Sequence, residues 1–281
     1  MLNIVKIEKD NLKERILAVH CNNDIYIGLG NKFLNYSKKK ILCIHEKSIR
    51  SISGNENYIG CSSYDGTATV FDSKERYLDK IEGPDTEIKG IAFDERFMAL
   101  TTRGKTTWIL EDFEISKILD DHTQDVKGCT FNKGRLYTWS YDNSIKVYDL
   151  FEIDHSWEFS QSIDLESIVW KVVFFEEYLC ACLHNGNVVF MKQEGPFWET
   201  YQTIRMSLTP IYACALTSKH IGFICNRNSL LFLDLNLEKI CEVPDLNSGC
   251  DVFSCSFSKN LNSFVVGSED GCLSIVEIEE S

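Results

Sequence analysis

The sequence predicts an all-β fold. Short runs of alternating or continuously apolar residues follow one another along its 281 positions, and clusters of Asp, Asn and Gly interrupt them. Only four prolines occur, and helical periodicity is nowhere sustained. Hydrophobic residues make up 44% of the chain and charged residues 25%, which is typical of a globular protein with a packed core.

A sevenfold repeat defines the fold more closely. Segments such as "SSYDGTATVFD", "WSYDNSIKVYD" and "SEDGCLSIVEI" share a small or polar residue, a tight turn and then alternating apolar residues. The turns recur at intervals of 34 to 43 residues, near the period of about 40 to 45 residues of a four-stranded WD-type blade. They fall near Asn31, Asp65, Gly104, Asp142, Asn185, Arg227 and Asp270. We therefore predict one seven-bladed WD40-type β-propeller domain over residues 1–281.

A second series of positions keeps the same spacing. A strand begins upstream of each turn, as in "EIKGI", "DVKGC" and "IVWKV". The third residues of these strand starts, with Leu17 as the equivalent in the first repeat, are Leu17, Arg50, Lys89, Lys127, Trp170, Tyr212 and Phe253. Their intervals follow those of the turns, and this agreement indicates genuine repeats.

The two ends of the chain are both strand-like, with "MLNIVKIE" at one end and "CLSIVEIEE" at the other. An open ring of blades would expose unpaired strand edges, which folds of this kind avoid by closing on themselves. We therefore predict that the N-terminal strand completes the last blade.

Composition limits the classes of partner. The net charge of −13 disfavours nucleic acid. No apolar run is long enough to predict a membrane span, and the N-terminus lacks a basic region followed by an apolar block. We expect no membrane association, and a cytoplasmic or also nuclear location.

The twelve cysteines include no Cys-x-x-Cys pair, and most lie within apolar runs where a thiol acts as a small buried hydrophobe. We expect neither a cofactor nor a metal site. Cys180 and Cys182 point the same way along a predicted strand, which leaves contact with a metal open for this pair.

His122, Ser140 and Asp142 are the residue types of a hydrolase triad. A catalytic triad needs a single copy beside an oxyanion site, yet the same pattern recurs in the second repeat with the same 20-residue spacing from His to Asp. We therefore predict that these residues are structural and that the chain is not an enzyme. The two predicted hydrogen-bonded tetrads are His122, Ser140, Asp142 and Tyr148, and His45, Ser63, Asp65 and Phe71.

The residues at the strand starts and before the turns are expected to line one mouth of the central channel. In sequence order the strand starts give a basic side and then an aromatic side. Arg, Tyr and Trp together are typical of protein-recognition hot spots, whereas the alternative is an ordinary solvated patch. Four basic residues are too few for an RNA-binding track, and the set suits a partner with carboxylates beside an apolar side chain. The predicted partner-binding residues are Arg50, Tyr64, Lys89, Arg103, Lys127, Tyr141, Trp170, Tyr212 and Phe253.

Several segments resemble one family of repeat proteins. "HTQDVKGCTF", "SYDNSIKVYD", "WEFSQSI" and "SIVWKVVF" are similar in order and spacing to the WD-repeat subunit of the cytosolic iron–sulfur protein assembly (CIA) targeting complex. "HEKSIRSI", "IEGPDTEIKGIAF" and "RGKTTWIL" extend the resemblance over the first 175 residues.

The resemblance implies a non-catalytic adaptor, a monomeric propeller within a hetero-complex. Its partners would be the other targeting subunits and apoprotein clients in the cytosol and nucleus, which receive preformed 4Fe-4S clusters. Some clients are recognised by short C-terminal tails with an acidic residue and a terminal aromatic residue. Arg103 matches a functionally important surface arginine of the family, and Lys89, Lys127 and Trp170 match its channel-mouth positions.

The sequence also departs from the family. Pro84 stands where a tetrad His is usual, and Gly104 replaces the turn Asp beside Arg103. Leu110 and Phe71 stand where Trp is usual. A WD-repeat scaffold of another complex, such as a ubiquitin ligase or an RNA-processing assembly, is the alternative.

Overall fold

The structure is a computed structural model that describes residues 2–83, 85–151, 153 and 155–280. The described residues form seven four-stranded antiparallel sheets, which are the blades of a β-propeller. Blade 1 contains β2 (Ile16–Cys21), β3 (Ile25–Leu29), β4 (Lys32–Asn35) and β5 (Lys40–Ile44). Blade 2 contains β6 (Ile49–Gly54), β7 (Tyr58–Ser63), β8 (Thr67–Asp72) and β9 (Tyr77–Glu82). Blade 3 contains β10 (Ile88–Phe93), β11 (Phe97–Thr102), β12 (Thr107–Glu111) and β13 (Glu114–Leu119).

The remaining blades follow the same order along the chain. Blade 4 contains β14 (Val126–Asn132), β15 (Arg135–Ser140), β16 (Ser144–Phe151) and β17 (Ser156–Asp164). Blade 5 contains β18 (Val169–Phe175), β19 (Tyr178–Leu183), β20 (Asn187–Glu194) and β21 (Phe197–Arg205). Blade 6 contains β22 (Cys214–Leu216), β23 (Ile221–Cys225), β24 (Ser229–Leu233) and β25 (Lys239–Val243). Blade 7 contains β26 (Ser254–Ser258), β27 (Ser263–Gly267) and β28 (Cys272–Glu280), and β1 (Leu2–Asn11) is its fourth strand.

The ring of blades is closed. The first strand of each blade contacts the first strand of the next, and β2 of blade 1 contacts both β6 and β26. The N-terminal strand β1 pairs with β28 from Leu2 opposite Glu280 to Asn11 opposite Cys272. The predicted closure of the last blade by the N-terminal strand is therefore confirmed, as is the seven-bladed fold.

The hydrophobic core lies between neighbouring blades. The strands in the middle of each blade are the most deeply buried, and β19 and β23 are buried along their whole length. The fourth strands are largely exposed, as in β13. Aromatic rings join adjacent blades, with Phe190 and Phe223 6.4 Å apart and Phe232 and Phe264 5.0 Å apart. Each blade thus buries its faces against its neighbours.

The turns between the second and third strands require left-handed backbone. Gly66 has φ of 86° and Asn143 has φ of 66°, and both residue types tolerate this conformation. In blade 3, where Gly104 replaces the usual Asp, Lys105 takes the left-handed position with φ of 68°. The turn therefore persists without its Asp. Pro84 lies outside the described residues.

A β-bulge at the start of the first strand positions the side chains at the channel mouth. In blades 1 to 5 the register between the first two strands shifts by one residue at this point. A bulge turns a side chain away from the regular alternation. The residues at the bulges are Leu17, Arg50, Lys89, Lys127 and Trp170. In blades 6 and 7, Tyr212 and Phe253 precede β22 and β26. Among the described residues, no helix is long and apolar enough to cross a membrane.

Candidate partner-binding site at the channel mouth

The side chains of the strand starts meet at one mouth of the central channel. The channel holds a cavity of about 420 Å³, and Arg50, Lys89, Lys127, Trp170 and Phe253 are among the residues that line it. We call the following residues the mouth cluster: Arg50, Tyr64, Lys89, Arg103, Lys127, Tyr141, Trp170, Tyr212 and Phe253.

A recurring backbone hydrogen bond keeps the two predicted series of residues on the same face. In every blade except blade 6, the amide of the residue before the turn donates to the carbonyl oxygen of the residue two positions before the strand-start residue. Tyr141 donates to Asp125 at 3.1 Å, and Arg103 donates to Glu87 at 2.9 Å. The same bond recurs from Tyr64 in blade 2. The turn and the strand start are therefore held together in each of these blades.

Lys127 is the most deeply enclosed cation of the mouth cluster, and only 7% of its surface is exposed. Its Nζ donates a hydrogen bond to the Tyr141 hydroxyl at 2.9 Å. The same atom lies 4.2 Å from the centre of the Tyr141 ring and 4.3 Å from that of Trp170. Burial, with the nearby charges of Arg50 and Lys89, lowers the pKa of Lys127 to about 6. The two rings act in the opposite direction, because their faces favour the charged form.

Lys89, in contrast, is surrounded by carboxylates. Its Nζ lies 3.0 Å from Asp125 Oδ2 and 3.3 Å from Glu87 Oε2. The other oxygen of Glu87 lies 3.4 Å from Nη1 of Arg103, whose side chain is 61% exposed. At this part of the mouth, the described carboxylates of Glu87 and Asp125 thus form their ion pairs with Lys89 and Arg103. Of Lys89, Lys127 and Arg103, Arg103 has the most solvent-accessible side chain, and it is well placed to meet a ligand.

The aromatic residues form a continuous surface beside these cations. The Trp170 and Tyr212 rings are 4.6 Å apart, and the Tyr212 and Phe253 rings are 4.7 Å apart. Arg50 lies 5.6 Å from the centre of the Phe253 ring. The sequence order separates a basic side from an aromatic side, but in the structure the two sides interleave. Ring closure brings blade 7 near blade 2, and Lys127 packs against two rings.

Two acidic residues of this site were not identified from the sequence. Glu87 and Asp125 each stand two residues before a basic strand-start residue, in "EIKGI" and "DVKGC". That repeated acidic position is the signal that could have indicated their pairing with Lys89. His184 is not among the predicted partner-binding residues, and its Nδ1 accepts a hydrogen bond from Trp170 Nε1 at 3.1 Å.

The predicted tetrads contain a buried His–Asp pair in both blades. His122 Nδ1 lies 2.9 Å from Asp142 Oδ2, and His45 Nδ1 lies 3.0 Å from Asp65 Oδ2. In blade 4 the other ring nitrogen, Nε2, is 2.8 Å from the hydroxyl of Thr138. Burial alone would raise the pKa of Asp142, but hydrogen bonds, chiefly from His122, lower it below its ordinary value. Asp142 thus orients His122 toward Thr138, and these contacts connect the loop before β14 to β15 within blade 4.

The other predicted tetrad members take different positions. Ser140 and Ser63 donate to backbone carbonyl oxygens of the loop before the first strand, and Ser140 also accepts from the amide of Asp142. Thr138 thus has the contact with His122 that the sequence reading gave to Ser140. The Tyr148 hydroxyl donates to Asp121 at 3.0 Å, and Phe71 packs against aromatic rings of the core.

Cys180 and Cys182 are fully buried in the core between blades 5 and 6. Burial raises the pKa of both thiols well above the ordinary value. Among the described residues, neither thiol belongs to a group of three or more His, Cys, Asp and Glu side chains whose ligand atoms are close enough to hold a metal ion, so this pair belongs to the packed core.

Comparison with known proteins identifies the type of repeat. Residues 37–72 and 244–276 match the family described as "WD domain, G-beta repeat". A search of curated proteins found no match. The first matched segment contains the His45 and Asp65 pair, and the second spans most of blade 7.

Proposed function

We propose that this WD-repeat propeller is a non-catalytic adaptor of the cytosolic iron–sulfur protein assembly machinery. It binds other subunits of the targeting complex and apoprotein clients, and it helps transfer 4Fe-4S clusters to cytosolic and nuclear apoproteins. WD-type propellers are typically scaffolds for protein interactions. The resemblance of residues 1–175 to the WD-repeat subunit of the targeting complex supports the more specific role.

The mouth cluster is the observation that carries the proposal. Three cations, Arg50, Lys89 and Arg103, stand against the two carboxylates of Glu87 and Asp125, and Lys127, whose pKa is lowered to about 6, adds a fourth positive charge when a ligand carboxylate approaches it. This local excess of positive charge occurs on a chain of net charge −13. It suits a ligand that brings its own carboxylates, because charge-assisted hydrogen bonds to them are strong.

The aromatic surface provides the second half of the recognition. A terminal aromatic residue of a client tail would pack against Trp170, Tyr212 and Phe253, and its acidic groups would meet Arg103 and Lys127. A carboxylate near Lys127 would also raise the pKa of that lysine and restore its charge. One short tail with an acidic and an aromatic residue thus satisfies both halves of the cluster.

A peptide-binding measurement tests the assignment of the site. A fluorescent peptide with an acidic residue and a C-terminal aromatic residue would be titrated with the full chain by anisotropy. Arg103→Glu should weaken binding by at least about tenfold, because it removes an exposed donor and adds a like charge. Lys117→Glu is the matched control, since Lys117 is exposed on β13 of the same blade. Equal affinity of the Arg103→Glu and control proteins, with unchanged thermal stability, would show that this is not the site.

Affinity purification of the full chain from its own cells tests the cellular role. Co-purification of iron–sulfur assembly factors, lost with Arg103→Glu, supports the proposal. Recovery of a ubiquitin ligase or an RNA-processing assembly without those factors would select the alternative scaffold.

A further inference from the structure

One group of His, Cys, Asp and Glu side chains in the described part of the chain has ligand atoms close enough together to hold a metal ion. It consists of Cys43, His45 and Cys61, whose ligand atoms lie within 4.8 Å of one another. Cys43 lies on β5 of blade 1, His45 lies in the loop that follows, and Cys61 lies on β7 of blade 2. The group therefore joins two neighbouring blades, and none of its residues belongs to the mouth cluster.

The separations within the group match a tetrahedral zinc site. The two sulfur atoms are 4.0 Å apart, and Cys61 Sγ is 3.5 Å from His45 Nε2. With Zn–S of about 2.3 Å and Zn–N of about 2.0 to 2.1 Å, tetrahedral angles place two sulfurs about 3.8 Å apart and sulfur and nitrogen about 3.6 Å apart. Two of the three separations are thus close to those of a bound zinc ion, and the third pair, Cys43 with His45, lies within 4.8 Å.

The hydrogen bonds around His45 orient the ring for a metal. Asp65 Oδ2 lies 3.0 Å from Nδ1, which assigns the proton to that nitrogen and leaves the lone pair of Nε2 facing Cys61. A carboxylate behind a histidine is the usual support of a zinc-binding imidazole. Thr69, whose hydroxyl is 3.0 Å from Nε2, would give up that hydrogen bond when the metal binds.

Blade 4 shows that this group is a departure from the ordinary brace. There His122 has the same pairing with Asp142, but Thr138 occupies the place that Cys61 has in blade 2. Of the two braces, the one around His45 has two cysteine sulfurs nearby in addition to a threonine hydroxyl, whereas His122 Nε2 contacts the hydroxyl of Thr138. Cys61 and His45 are buried, whereas Cys43 is only half-buried and provides a side from which an ion can enter.

We propose that Cys43, His45 and Cys61 bind one zinc ion, which links blade 1 to blade 2. Binding replaces the two thiol protons, which pass to solvent, and two thiolates neutralise the charge of the ion. Three protein ligands leave the fourth tetrahedral position to a water molecule, unlike most structural zinc sites, which are closed by four protein ligands. The ion is a structural link that strengthens the contact between the blades.

Metal titration of the reduced full chain tests the proposal. Cobalt(II) is the spectroscopic probe, because thiolate ligands give it charge-transfer absorption and tetrahedral sites give it strong visible bands. Zinc is then measured by displacement of cobalt and by competition with a chromophoric chelator. We expect one ion per chain and a higher melting temperature when zinc is present.

Matched variants separate the site from other thiols. Cys61→Thr reproduces the arrangement around His122, so it should keep the fold and abolish the cobalt–thiolate absorption. Cys43→Ser, at a half-buried position, should do the same. Asp65→Asn should weaken zinc binding by about 10- to 100-fold, as is typical when a residue supporting a ligand is lost. Cys241→Ser, which changes a half-buried thiol on β25, should bind as the unaltered chain does.

Two results would overturn the proposal. One is a folded, reduced chain that shows no cobalt–thiolate absorption. The other is equal zinc affinity in the unaltered chain, Cys43→Ser and Cys61→Thr.

Discussion

The lowered pKa of Lys127 allows us to predict how the free energy of unfolding depends on pH. In the unfolded chain the lysine has its ordinary pKa of 10.5, so it remains protonated across the neutral range. In the folded chain, burial beside Arg50 and Lys89 lowers the pKa to about 6, and the proton is lost above that pH. Between these two values the unfolded state holds one more proton than the folded state. The free energy of unfolding should therefore rise with pH across this range, and below about pH 6, where both states hold the proton, Lys127 should add no further pH dependence.

The size of the effect follows from one proton. A one-proton difference changes the free energy of unfolding by about 1.4 kcal/mol per pH unit. Lys127→Met removes the titrating group and keeps an apolar chain between Tyr141 and Trp170. Between about pH 7 and pH 8 the unaltered chain should gain about 1 kcal/mol relative to Lys127→Met. All other titrating groups are common to both proteins and cancel in the difference.

Urea unfolding at about pH 6, 7, 8 and 9 provides the measurement. Lys105→Met is the control, because it removes a lysine from an exposed turn on the same rim. The free energy of unfolding of Lys105→Met should differ from that of the unaltered chain by a nearly constant amount across this pH range, unlike that of Lys127→Met. If the profiles of the unaltered chain and Lys127→Met are parallel from pH 6 to 9, Lys127 keeps its charge in the folded state. The interaction of the charged ammonium group with the rings of Tyr141 and Trp170 would then outweigh the effect of burial on the pKa of Lys127.

Three further predictions concern the scaffold. His122→Ala should lower the free energy of unfolding by about 1 to 3 kcal/mol, because it removes the buried hydrogen bonds of the imidazole ring to Thr138 and Asp142, and an unchanged urea midpoint would contradict this. A serine-directed covalent probe should not label Ser140 in the folded chain, since the residue is fully buried, and labelling would favour the hydrolase reading. Deletion of residues 1–11 removes β1 and exposes the edge of β28, so light scattering should show self-association, whereas a monomeric, equally stable product would show that β1 is dispensable.

The sequence predicts the repeat and its ring closure because both depend on local spacing. The strand starts could be aligned without coordinates, and five of them carry a bulge that aims the side chain at the mouth. Closure by β1 follows from the need to pair an edge strand. These features repeat at a fixed interval, so each blade supports the interpretation of the others.

Contacts between different repeats were harder to predict. The approach of Cys43 to Cys61 joins two blades, and neither residue has a distinctive spacing in the sequence. The contact of His122 with Thr138 instead of Ser140 could not be predicted from strand alternation, because the two residues are two positions apart and lie on the same face of β15. The pairing of Lys89 with Asp125 likewise links blade 3 to blade 4.

The brace of blade 4 and the mouth cluster are physically connected. Ser140 Oγ donates to the carbonyl oxygen of Asp125 at 2.9 Å, and the Tyr141 amide donates to the same oxygen at 3.1 Å. The carboxylate of Asp125 in turn pairs with Lys89, and the hydroxyl of Tyr141 accepts from Lys127. Ser140, one of the buried residues that first suggested a hydrolase, therefore helps to hold the backbone of Asp125, which pairs with Lys89, beside Tyr141, which accepts from Lys127. Because Ser140 connects the brace of blade 4 to the loop of Asp125, loosening this brace should disturb the binding surface at the mouth as well as the stability of the blade.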